Sequence, residues 1–132
     1  KLGMAREIKS EADRAIALDP RNARAYHVRA LWNREIATLS FLERSAAGLF
    51  GGVPKGATLA NAASDLEKAV ALQPNYVNHH YELGRTYAVL HRTADARREF
   101  ETGISLPPVS SALDSKIQDR AREALAKLPK SK

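Results

Sequence analysis

Four histidines are the residues of this chain best suited to chemistry, and their spacing decides what they can do. His79 and His80 are adjacent, so on a helix their side chains point about 100° apart and cannot hold one metal from one face. His79 and Glu82 stand three apart and share a helix edge, but no second ligating pair at helical spacing accompanies them. His27 stands alone. His91 is read as a cation near a helix C-terminus, where positive charge is favoured. There is no cysteine, which removes thiolate metal sites, cysteine nucleophiles and disulfide scaffolds. The loop Gly51-Gly52-Val53-Pro54-Lys55-Gly56 has the glycines of a phosphate cradle but not its spacing, and Ala57 offers no hydroxyl where one is needed. No G-x-S-x-G nucleophile elbow occurs. The sequence therefore assigns no catalytic, metal-binding or cofactor-binding residue, and the expected class is a non-enzyme.

What remains is recognition, which depends on the elements that display the side chains. The chain has 132 residues, 44% apolar and only 6% aromatic, with abundant alanine. That balance suits closely packed helices rather than strands, so an all-α fold in a single domain, residues 1–132, is expected. No apolar run approaches the roughly 20 residues of a membrane span, and the opening KLGMAREIKSE is too charged for a signal peptide. A soluble segment follows. The chain opens at Lys1, which fits a piece of a longer or processed protein, and the compartment stays open. The net charge of +6 comes from two blocks, 21–50 and 110–132, each carrying +3. Neither is a dense basic run interleaved with aromatics, so solvated helix faces are expected and nucleic acid is not.

Helical periodicity divides the chain. Residues 4–18 place Met4, Ile8, Ala12, Ala15, Ile16 and Leu18 near one side, and Asp19-Pro20 ends the helix. Asn22 caps a second helix over 23–38. A segment of about 39–57 follows, with Ser40 and Glu43 at capping-box spacing opening a short helix over about 40–50. Its Phe41, Leu42, Leu49 and Phe50 either fold back on the neighbouring helices or form a partner-binding patch. Residues 58–72 carry Leu59, Ala62, Ala63, Leu66 and Ala69 on one face, ending at Gln73-Pro74. A last helix over 110–128 aligns Leu113, Ile117, Ala121 and Leu125 opposite charged residues, and the final KSK is a tail.

Between these lies the most regular stretch, Asn75 to Pro108. Leu83, Gly84, Tyr87, Ala96, Phe100 and Pro108 fall in the register of a tetratricopeptide repeat, with His80 where tryptophan is usual. Gly84 and Ala96 are small where two helices cross, while Leu83, Tyr87 and Phe100 fill the space around them. The chain thus resembles a tetratricopeptide α-solenoid of antiparallel helix pairs, with about six or seven helices. It divides into a half repeat at 1–20, a repeat stretched by the insert at 21–74, a regular repeat at 75–108 and a capping helix at 110–128 that covers the last stacking face.

Three stretches narrow the likeness: LDPRNARAYHVRALW, the loop from Leu49-Phe50 through Pro54 into LEKAVALQPNY, and YELGRTYAVLHRTADARREF with the charged closing helix. Together they resemble the regulator of microtubule dynamics family and its bacterial relatives. That resemblance implies a non-enzymatic helical-repeat protein, associated in eukaryotes with microtubules and mitochondria. It supplies no residue motif for microtubule binding, so that activity is not carried to this chain.

Resemblance to tetratricopeptide proteins also implies a concave face lined by the first helix of each repeat. Its residues here are Asn78, Tyr81, Glu82 and Arg85, preceded by Arg24, His27 and Arg34. Lysine and asparagine are absent from the positions of the carboxylate clamp that some members use. Arg24, Arg34 and Arg85 either hold an acidic peptide through bidentate bonds, with Tyr81 as a flat contact, or are solvated charges. The expected function is protein–protein interaction with a peptide or partner protein. The alternative is a structural segment that associates with copies of itself or with further repeats.

Overall fold

A computed structural model describes residues 2–39, 43, 46, 55–108 and 111–130. Among them the chain is all-α, with six helices and no strand. The helices are α1 (Leu2–Leu18), α2 (Ala23–Ala37), α3 (Leu59–Leu72), α4 (Val77–Val89), α5 (Thr93–Ser105) and α6 (Ser111–Lys127). The short helix expected over 40–50, its Ser40 cap and the packing of Phe41, Leu42, Leu49 and Phe50 lie outside the described residues, of which only Glu43 and Ala46 fall in that span. Two compact units form, 1–69 and 70–132.

The helix ends follow local chemistry. Pro20 cannot continue α1, and the chain turns at once: the Asp19 carboxylate accepts from the Arg21 N–H at 3.0 Å. Asn22 then caps α2, its Oδ1 accepting from the Ala25 N–H at 3.1 Å. The entry to α3 is built from Gly56 at φ +89°, a left-handed value that favours glycine, and from Thr58, whose hydroxyl accepts from the Asn61 N–H at 3.0 Å. The amide of Asn61 closes the turn by donating to the Gly56 carbonyl at 2.8 Å.

In the first unit α1 packs on α2, and Ala12 of α1 and Ala25 of α2 are buried, small residues that allow close approach. Ala62, Leu66 and Ala69 are the buried stripe of α3. A polar cluster ties the three helices together. Arg29 donates through Nε and Nη2 to both carboxylate oxygens of Asp65, each at 2.9 Å, and through Nη1 to Asp13 at 3.0 Å. Asp13 also accepts from Lys9 at 2.6 Å. The forked guanidinium matches a carboxylate in a way lysine cannot. Asp65 strengthens the positive charge of Arg29 more than burial weakens it. Burial opposes ionisation of Asp13, but Lys9 and Arg29 outweigh it and hold its carboxyl below the ordinary aspartate value.

In the second unit α4 and α5 form a helical hairpin, and α6 packs against both. The connection at 90–92 is a Schellman turn: the Arg92 N–H reaches the Tyr87 carbonyl at 2.9 Å and the His91 N–H the Ala88 carbonyl at 3.0 Å. His91 sits there at φ 61°, the left-handed position usually given to glycine. Its place at the helix C-terminus was legible, whereas its role lies in the backbone turn. Gly84 faces the Phe100 ring so closely that a Cβ would lie 2.6 Å from Phe100 Cε1. Burial of Phe100 and Leu83 contributes roughly 1.5–3 kcal/mol each. Gln118 of α6 is buried over the C-terminus of α5, its Nε2 lying 3.1, 3.3 and 2.8 Å from the carbonyls of Gly103, Ile104 and Leu106.

Candidate interaction face

Helix α4 has two sides with different duties. Val77, His80, Leu83, Gly84 and Tyr87 are buried at spacings of three and four, which is the stripe that packs. Asn78, Tyr81 and Arg85 recur at the same spacing on another side, where Asn78 and Tyr81 are partly exposed and Arg85 is exposed.

These side chains are organised rather than loose. The Arg85 guanidinium lies 5.6 Å from the Tyr81 ring centroid, and its Nη1 donates to Glu82 at 3.1 Å. Tyr81 in turn lies 6.1 Å, ring to ring, from Phe100. A stack thus runs from the buried Phe100 through Tyr81 to an arginine at the surface. Arg85 has no other protein partner among the described residues, so its remaining N–H groups are available to a ligand. Glu82 is 8% exposed and positions Arg85 from below.

Arg85 also borders a groove of ≈370 Å³ within the second unit. Ala88, Phe100, Ala124 and Leu128 supply its apolar surface, and Lys127 and His91 share its edge. Arg85 is therefore accompanied by a second cation and an apolar floor. Helix α6, read from sequence as a cap, provides one wall of this groove. Sequence reasoning missed that because helical spacing along α6 does not reveal which neighbour its face meets.

The other expected face residues lie on α2 in the first unit. Arg24 is exposed, Arg34 half-buried and His27 buried. Of the repeat signature, His80, Leu83, Gly84, Tyr87, Ala96 and Phe100 are all buried, and Pro108 is exposed beyond α5. His79 is buried with its Nε2 2.8 Å from the Gln73 side-chain oxygen, and Glu82 accepts from Arg85 at 3.1 Å. Among the described residues no cluster of three metal-ligating side chains occurs, and no helix is long and apolar enough to cross a membrane.

The sequence pattern of the family described as Regulator of microtubule dynamics protein 1-3 matches residues 1–129. Regulator of microtubule dynamics protein 3 of Bos taurus is 31% identical over 116 residues, covering 87% of this chain and 24% of the relative. Regulator of microtubule dynamics protein 1 of Caenorhabditis elegans is 33% identical over 105 residues, covering 79% of this chain and 46% of the relative. The protein 1 of Bos taurus is 28% identical over 126 residues, covering 95% and 39% respectively. The chain therefore spans less than half the length of each of these curated relatives. With nearly its whole length matched by the family pattern, the chain belongs to the regulator of microtubule dynamics family.

Proposed function

We propose that this chain is a non-enzymatic interaction module of tetratricopeptide type, with repeats at 21–74 and 75–108 and a cap at 110–128, that docks an acidic peptide segment of a partner protein in the groove between α4 and α6. The observation that carries this reading is Arg85, held by Tyr81 and Glu82 at the edge of an apolar groove that it shares with Lys127. An acidic side chain meets the two cations while an apolar neighbour enters between Ala88, Ala124 and Leu128. Because the relatives are named for regulating microtubule dynamics, the partner sought first is polymerised tubulin. Co-sedimentation with microtubules, together with fluorescence anisotropy of a labelled glutamate- and leucine-containing peptide, tests the assignment. The double variant Tyr81→Ala, Arg85→Ala is expected to keep its helical circular dichroism and to bind at least about tenfold more weakly, since charge-assisted bonds are lost. Capture equal to that of the parent removes the groove assignment.

A second reading, self-association, is favoured by a groove of ≈500 Å³ between α1 and α2. Ile8 and Val28 are exposed along it, and Glu7 on one wall faces the same opening as Arg24 on the other. A second copy related by a two-fold axis would set acid against base across an apolar seam. Sedimentation over a concentration series separates the readings: a monomer that captures peptide counts against stacking.

A further inference from the structure

The groove beside Arg85 does not end at α6. A second groove of ≈500 Å³, lined by Thr93, Arg97, Arg98, Glu101, Pro129 and Lys130, adjoins it, and Thr93 and Pro129 border both. Contacts within the second unit build this feature. Arg97 Nη2 donates to the Pro129 carbonyl at 3.1 Å, which pins the segment after α6 onto the edge of α5, 32 positions away in sequence. Thr93, Arg97 and Glu101 follow one another at four-residue spacing along that edge. At about 1.5 Å per residue it is about 12 Å long.

Charge narrows the occupant. Five lysines and arginines line the two grooves together, Arg85, Arg97, Arg98, Lys127 and Lys130, against one carboxylate among the described residues, Glu101. Arg98 donates to Asp95 at 2.9 Å through Nη1, yet 66% of its side chain is exposed. Lys127 and Lys130 are exposed, and their side chains make no ion pair or hydrogen bond to any described residue. An acidic chain therefore meets cations along the whole track. Nucleic acid fits less well, because the Phe100 ring in the wall of the first groove is 1% exposed and leaves no face for a base to stack on.

We infer that the partner segment is extended, with an apolar residue seated between Ala88, Ala124 and Leu128 and a run of about four acidic residues laid across Thr93 against Arg97, Arg98 and Lys130; this rests on the α4–α6 groove being the docking site. Four extended residues at about 3.3 Å each cover the edge of α5. Fluorescence anisotropy of labelled peptides at low salt tests the inference. The short peptide Ser-Glu-Leu-Glu-Ser is compared with the same peptide extended, before or after it, by about four glutamates or by as many glutamines. One glutamate-extended peptide is expected to bind about fivefold more tightly than the short one, through two or three added surface ion pairs, and the glutamine extensions are expected to bind like the short one. The variant Arg98→Ala, Lys130→Ala, altered at two exposed positions, is expected to keep its affinity for the short peptide and to lose the fivefold gain. The inference is overturned if neither glutamate extension gains, if glutamine gains as much, if the variant keeps the gain, or if a single-stranded oligonucleotide displaces the extended peptide at equal or lower concentration. Binding of the short peptide without any gain removes the extension alone, whereas failure of every peptide to bind removes the docking site as well. The comparison of lengths on the parent chain decides even where the variant does not fold.

Discussion

His80 Nδ1 lies 2.8 Å from a carboxylate oxygen of Glu99 on α5, and Nε2 of the same ring lies 2.6 Å from the carbonyl of Pro74. Both neighbours only accept, so both ring nitrogens must donate, which requires the imidazolium. Burial alone would lower the histidine pKa, but the bonds to Glu99 and Pro74 outweigh it and raise the value above the ordinary 6.5. His80 and Glu99 thus form an ion pair across the α4–α5 hairpin.

A pH dependence follows with a definite sign. Between 6.5 and the raised folded value the folded state holds a proton that the unfolded state has lost. The contribution is fully present below pH 6.5 and fades as pH rises through the folded pKa. Urea unfolding from pH 6 to 9 is expected to show this decline, and His80→Phe to abolish it. The variant is also expected to lose about 1–3 kcal/mol at pH 6, because Glu99 is left without its partner. An unchanged slope in His80→Phe would falsify the assignment.

Close packing at the hairpin crossing makes Gly84 sensitive to added volume. Gly84→Leu drives atoms into the Phe100 ring and is expected to cost about 1–3 kcal/mol or more. Adding Phe100→Leu to Gly84→Ala is expected to destabilise less than the sum of the two single changes, since each relieves the other. Denaturation midpoints of the four chains measure that coupling, and strict additivity would place Phe100 elsewhere.

The Arg29 and Asp65 pair should show the asymmetry of buried charges. Arg29→Met leaves the carboxylate of Asp65, 8% exposed, without its bidentate partner, at an expected cost of about 3 kcal/mol. Arg29→Met with Asp65→Leu is expected to recover most of that loss. Chemical denaturation of both variants is the check, and a double variant as weak as the single one would contradict it.

His91 offers a gain instead. At φ 61°, glycine removes the steric penalty of the left-handed position, so His91→Gly is expected to raise stability by about 0.5–1 kcal/mol. Thermal unfolding at neutral pH reads the change, with a lower midpoint as the contrary result.

Helix ends and the hairpin crossing were legible because their causes are local. Asn22, Pro20, Pro74 and the spacing of Leu83, Gly84 and Tyr87 act within a turn or two of where they stand. The pairs that distinguish the chain were not legible. Arg29 meets Asp65 36 positions away, and His80 meets Glu99 19 positions away. Periodicity says which side of a helix is apolar, but such meetings depend on how one helix is rotated and shifted along another. The groove beside Arg85 was half visible for the same reason: Tyr81 and Arg85 lie on one readable stripe, whereas Ala124 and Lys127 arrive from a separate helix.

Gln118 bears on how the chain comes to be folded during synthesis. The carbonyls of Gly103, Ile104 and Leu106, at and just past the end of α5, meet a side-chain donor from α6, which leaves the ribosome after the α4–α5 hairpin. Until α6 arrives, the end of α5 is closed by water alone, so the hairpin can form early yet fray at that end. Completion of the unit then waits for α6, and a chain released before α6 emerges leaves the end of α5 open to proteases.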